Sequence, residues 1–303
     1  MPSRLVNRRI FRAASAVTLA LGTALAAPVF LAGTAAAAAP EATAAFSPSD
    51  HAILYTAASG QANKVTVAAS KSDGSQEITY VIDDAVAVRA GDGCSYPDSA
   101  DRTKVSCTVA TLETQDPYAT LKLVLGDGDD SFAYDNTTDQ TYYFASAGLG
   151  DGKDTATHSG GVDGNSVSGG AGDDNLSVGE YGVVLGGVGK DTLRAAGGSI
   201  AQGGDDNDTI YSQGDESAVD GGAGNDVIQG GAERQNLSGG DGNDTIRGAA
   251  GDDFLYGGKG NDTLYGNDGN DTIYGNSGDD KLYGGAGADT LSGGPGTNVV
   301  HQD

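Results

Sequence analysis

Apolar residues recur along this chain in three rhythms, and each predicts a different kind of segment. The first is a mainly apolar run from Ala13 to Ala32, preceded by Arg4, Arg8, Arg9 and Arg12 and followed by small residues from Ala35 to Ala39. A basic start, an apolar centre and an Ala-x-Ala end make residues 1–39 an export signal, which is excluded from the fold. Alanine, threonine and glycine interrupt the run, which argues against a retained membrane helix. The second rhythm is short alternation with β-branched residues: Ala52 to Thr56, Lys64 to Ala68, Glu77 to Ile82, Ala85 to Arg89, Lys104 to Val109 and Thr120 to Leu125. These predict short strands over residues 40–124 and no helix. The third rhythm is a single aliphatic side chain every ninth residue, held between glycines and aspartates.

From Gly203 to His301 the third rhythm runs through eleven consecutive units of nine residues. Each unit has a glycine-rich half able to take left-handed dihedrals, then three residues such as Thr263-Leu264-Tyr265. The first half predicts a turn and the second a short strand whose middle residue points inward. Two units then make one coil of 18 residues, and equivalent turns stack about 4.8 Å apart, one strand spacing. The first coil of such a solenoid needs a terminal cap, and residues 40–124 are read as that small β capping domain.

The unit at Gly239 reads Gly-Gly-Asp-Gly-Asn-Asp-Thr-Ile-Arg and the one at Gly284 reads Gly-Gly-Ala-Gly-Ala-Asp-Thr-Leu-Ser. This pattern resembles the RTX nonapeptide of hemolysin-type calcium-binding repeat proteins. The resemblance implies an all-β fold, a right-handed parallel β-roll over residues 125–301, with calcium held in its turns.

The chemistry of the residues agrees. Stacking sets aspartate above aspartate, beside turns that expose carbonyl oxygens, and such hard oxygens suit Ca2+. Two carboxylates about 5 Å apart without an ion repel by roughly 3 kcal/mol at an effective dielectric of 20. On one edge the sixth-position residues are Asp174, Asp191, Asp208, Asp226, Asp244, Asp262 and Asp280; on the other they are Asp253, Asp271 and Asp289. The turn glycines Gly240, Gly242, Gly258, Gly260, Gly269, Gly278, Gly285 and Gly287 are expected to shape the same sites. Counting intervals between successive aspartates gives about eight calcium ions. Asp130 and Asp154 belong to irregularly spaced units and are weaker candidates. Asp206 replaces a fourth-position glycine beside Asp208, Asn267 and Asn276 replace second-position glycines, and Asn298 with Pro295 marks a weak or metal-free last turn.

Composition narrows the function. A formal charge of −25, with 50 glycines and 6% aromatic residues, repels nucleic acid and anionic membranes and favours cations. Cys94 and Cys107, the only cysteines, are expected to form one disulfide in an exported chain, since their spacing matches no metal or redox motif. Arg8-Arg9-Ile10-Phe11 resembles a twin-arginine export motif, but a calcium-dependent fold favours export unfolded by the general route. His51, His158 and His301 form no His-Glu-x-x-His motif and no Gly-x-Ser-x-Gly elbow occurs, so no enzyme is expected. The expectation is a secreted, extracellular calcium-binding roll with a structural, adhesive or matrix role, without membrane insertion once the signal is removed and with a cell-surface or glycan partner. A carbohydrate-active or glycan-binding protein built on the roll is the alternative. Tyr256, Tyr265, Tyr274 and Tyr283, at ninth positions, are expected on the outer face, stacked 18 residues apart.

Overall fold

The computed structural model describes residues 40–112, 117–138, 140–160 and 164–302, and the segment read as an export signal lies outside them. Every regular element among the described residues is a strand, and together they build two sheets of 13 and 14 strands. Successive half-coils alternate between the sheets, so each strand pairs in parallel with the one a full coil away. Leu255 lies beside Ile273 and Leu264 beside Leu282, the 18-residue period of the repeats. Earlier coils follow 17-residue steps, as in Leu176 beside Leu193, and the first follows a 24-residue step from Ser131 to Thr155. Between the sheets the eighth-position residues, among them Leu237, Ile246, Leu255, Leu264, Ile273 and Leu282, are fully buried in one continuous apolar core.

The strands are twice as long as the repeat pattern predicts. Thr263–Asp268 and Lys281–Ala286 each span six residues, so the strand runs on through the first three positions of the next unit. Glycine at the first of those positions allows this. It faces inward and is buried, and a Cβ at Gly257 would collide with the Asp262 carboxylate beneath it. Pairing skips this residue alone: Tyr256 pairs with Tyr274 and Gly258 with Asn276.

Both sheets continue without a break into the segment read as a cap. Ala52–Thr56 pairs in parallel with Tyr118–Asp127, and Lys64–Ser70 with Ser131–Asn136, so these two strands and the turn between them form a further coil. Antiparallel strands then cover them: Ala42–Ser47 on one sheet, Glu77–Asp83 and Lys104–Ala110 on the other. The sheets end on the short strands Val88–Ala90 and Cys94–Ser95, which leaves little open edge. Of the predicted run Ala85 to Arg89 only its end is strand, because Asp84 turns the chain by accepting the N–H groups of Lys64 (2.8 Å) and Ala85 (2.6 Å). The alanine-rich strand Ala42–Ser47 carries too few β-branched residues to be read from pattern; its pairing partner defines it. Cys94 and Cys107 sit opposite each other on neighbouring strands and form the disulfide.

On the outer faces Tyr256 stacks on Tyr274 with ring centroids 5.5 Å apart, and Tyr265 on Tyr283 at 4.9 Å. Arg247 lies 5.1 Å over the Tyr265 ring and His301 stacks on Tyr283, so the ladder packs on itself.

Candidate metal centre

The sixth-position aspartates form a single file along one edge of the roll. Each backbone N–H donates to the carboxylate Oδ1 of the aspartate one coil further on: Asp191 to Asp208, Asp208 to Asp226 and Asp226 to Asp244, all at 2.8 Å. The file continues through Asp262 and Asp280 to Asn298. In the other direction it runs past Asp174 to Asp154 and Asp130, and ends where Asn63 N–H donates to Asp130 Oδ1 at 2.6 Å. Asp130 and Asp154, weak candidates by spacing, therefore share the file. Their units carry Leu125 and Leu149 where later ones carry a first-position glycine, which is why the motif is hard to see there.

The second carboxylate oxygen gives the file its chemistry. Oδ2 of every sixth-position aspartate on both edges, from Asp130 to Asp289, is buried and has no hydrogen-bond partner. At the glycine units this oxygen shares the space that a Cβ on the first glycine would fill with a backbone carbonyl. Beside Gly257 the neighbours are Asp262 Oδ2 and the Gly275 oxygen, which is 2.6 Å from that point. A buried carboxylate oxygen without a donor, close to a carbonyl oxygen, is costly unless a cation binds there. Among the described residues no three His, Cys, Asp or Glu side chains converge on a point. The oxygens present fit calcium, which takes carboxylates and carbonyls in flexible geometry.

The turn glycines are needed for the stacking itself. Gly240, Gly242, Gly258, Gly260, Gly269, Gly278, Gly285 and Gly287 all have φ between 101° and 149°. A Cβ on any of them would strike a carbonyl of the preceding coil, as Gly258 would strike Gly240 O and Gly260 would strike Gly242 O. The substitutions that cast doubt on particular turns keep the backbone form: Asp206 has φ 78°, Asn267 74° and Asn276 68°. Asp208 accordingly holds the same bonds as its neighbours. Ala249 also takes φ 82°, a strained conformation for a residue with a Cβ. The fifth position, which the repeat pattern leaves unassigned, stitches the turns in the opposite direction. There Asn243 N–H donates to Asn225 Oδ1 and Asn261 N–H to Asn243 Oδ1, both at 2.7 Å.

On the opposite edge the same arrangement covers only Asp253, Asp271 and Asp289, joined by N–H to Oδ1 bonds of 2.9 Å. Gln235 precedes them in the file, donating its N–H to Asp253 Oδ1 at 2.8 Å.

Residues 196–228, 214–234, 229–264 and 265–300 match the family model of the RTX calcium-binding nonapeptide repeat. Residues 196–300 are RTX calcium-binding nonapeptide repeats, folded as part of a parallel β-roll. No curated protein matches the chain. The matched RTX repeats hold the aspartates from Asp208 to Asp289, while Asp130, Asp154, Asp174 and Asp191 extend the same bonded file into coils before residue 196.

Burial pushes the carboxyls of Asp174, Asp208, Asp244 and Asp253 up to about 7, and those of Asp191 and Asp262 up to about 6. The N–H bond to each carboxylate opposes the rise, and the charge of neighbouring aspartates adds to it. A carboxyl whose folded pKa lies above its unfolded value of 3.8 favours the fold most below about pH 4, and that contribution is lost as pH rises through 6 to 7. In excess chelator the repeat region is therefore expected to hold more β-structure at pH 5 than at pH 8, read by circular dichroism. β-Structure in chelator that increases with pH over this range would contradict the burial of these carboxyls.

Proposed function

We propose that this chain is a secreted, noncatalytic protein whose RTX roll folds on calcium outside the cell and then serves a structural, adhesive or matrix role. The observation that carries the reading is the file of buried Oδ2 atoms without a hydrogen-bond partner, which at the glycine units lie close to a backbone carbonyl. Asp174, Asp191, Asp208, Asp226, Asp244, Asp262 and Asp280 supply the carboxylates of one edge, and Asp253, Asp271 and Asp289 those of the other. About eight ions then lie between successive aspartates, with Asp130 and Asp154 as the place where further ions would bind. The turn glycines contribute space and carbonyl oxygens.

A noncatalytic role is supported by how the carboxylates are used. Each Oδ1 is held by a backbone N–H, so these acids are structural parts of the turns. Secretion is supported by the Cys94–Cys107 disulfide and by the RTX repeats. The flat tyrosine pairs on the outer faces favour one second reading, a glycan-binding surface. A screen of glycans and cell-envelope fractions, run with calcium and with chelator, tests both. Calcium-dependent retention on envelope material is expected for the adhesive role. Retention on purified glycans that is lost in Tyr265→Ala would favour the second reading, and no retention on any surface would leave a purely structural role.

A further inference from the structure

The edge that carries Asp253, Asp271 and Asp289 is continued upstream by Gln235, Ser217 and Ser199, which occupy the same place in successive coils. All three are buried, each 1% exposed. Unlike the aspartates, none has an unpartnered side-chain atom. Gln235 Oε1 accepts Gly231 N–H at 3.0 Å and lies over Gly230 as Asp253 Oδ2 lies over Gly248. Its Nε2 donates to Gly214 O, a turn carbonyl of the preceding coil, at 3.0 Å. An N–H donor on one side and a carbonyl acceptor on the other settle which end of the amide is which. Ser217 Oγ donates to Ala196 O at 3.1 Å, and Ser199 Oγ donates to Gly179 O at 2.8 Å while accepting Gly182 N–H at 3.1 Å.

We infer that Gln235, Ser217 and Ser199 are built-in substitutes for calcium, whose N–H and O–H groups bond to turn carbonyls and keep this edge free of ions. The inference rests on the calcium reading of the aspartate files. A glutamine presents the carboxylate-like oxygen and a neutral N–H donor in one side chain, so beside Gly248 O its oxygen is satisfied by Gly231 N–H where an aspartate Oδ2 has no partner. The far end of the long file uses the same device: Asn298 Oδ1 accepts Asp280 N–H at 2.8 Å and its Nδ2 donates to Gly294 O at 2.9 Å. The coils from Ser199 to Gln235 thus need ions on one edge only, whereas those from Asp253 to Asp289 need them on both. As calcium falls, the C-terminal coils should open first.

Calcium bound per chain, measured by equilibrium dialysis and atomic emission on the full mature protein, tests this. Gln235→Asp should bind one ion more than wild type, and Asp253→Asn should bind fewer. Asn298→Asp, at a more open turn, should also gain one ion and decides the matter if Gln235→Asp does not fold. An unchanged count in the folded variants overturns the inference, while a wild-type chain that binds no calcium overturns the underlying reading instead. Hydrogen exchange at falling calcium gives a second readout. Protection should be lost in residues 239–292 at a higher calcium concentration than in residues 183–229, and the reverse order counts against the device.

Discussion

Withdrawing calcium from the mature chain is expected to abolish the repeat region's β-structure, and returning it to restore that structure cooperatively. Nine aspartates from Asp130 to Asp280 stand in one file with a buried oxygen each and no donor facing it. Roughly 3 kcal/mol of repulsion per adjacent pair, repeated along the file, is enough to consume the 5–15 kcal/mol that stabilises a typical domain. The core between the sheets holds one aliphatic side chain per half-coil, too thin a layer to compensate. Calcium reverses the sign. Extracellular modules bind it with dissociation constants of about 10⁻⁴–10⁻³ M, and each site at ten times its constant contributes about 1.4 kcal/mol. Eight coupled sites would add about 11 kcal/mol, comparable to a whole domain. Circular dichroism during a calcium titration, paired with protease digestion, measures this. A full β spectrum and full protease resistance in excess chelator would show that calcium is not a folding cofactor. A submicromolar midpoint would mean that the roll folds before export, which would favour the twin-arginine route.

The second large effect is expected from Asp244→Ala. Asp244 is 1% exposed, accepts Asp226 N–H on one side and donates its own N–H to Asp262 on the other, both at 2.8 Å. It therefore takes part in two adjacent sites, and its loss should remove two ions and raise the calcium midpoint of folding. Asn298→Ala removes only the terminal amide, which is partly exposed and bonded to Asp280 N–H and Gly294 O. Its cost should be about 1 kcal/mol, the worth of an ordinary hydrogen bond, with no change in the ion count. Calorimetric titration separates the two. Equal ion losses from both substitutions would refute the stacking of one aspartate between two sites.

The repeats make unusually much of this fold legible. Leu264 and its equivalents at every ninth residue announce the inward face, and the aspartate two positions earlier announces the turn, because each coil repeats the same local solution. Strand length was not legible. The pattern ends the strand at Tyr265, whereas the sheet carries it to Asp268, since only stacked coils reveal that the first glycine faces inward over a carboxylate. Asp130 and Asp154 were obscured for a related reason. Their coils are 24 and 20 residues apart from the next, and leucine stands where the glycine should be, yet the N–H to Oδ1 bonds place them in the file.

The resemblance to the RTX nonapeptide implied the parallel roll, while residue identity alone determined the nine-residue period, the coil of two units, the edge on which most aspartates fall and the pairing of Cys94 with Cys107. These follow from spacing, composition and the small number of conformations open to glycine-rich turns. Tertiary structure alone decided that Ala52–Thr56 and Lys64–Ser70 serve as a further coil, because parallel pairing with strands 67 or 68 residues away leaves no local trace. It also decided which polar side chains take the place of an ion. Gln235 reads as one more degenerate position until its amide is seen between Gly231 N–H and Gly214 O, since a hydrogen bond between coils depends on distance and direction that no single repeat contains.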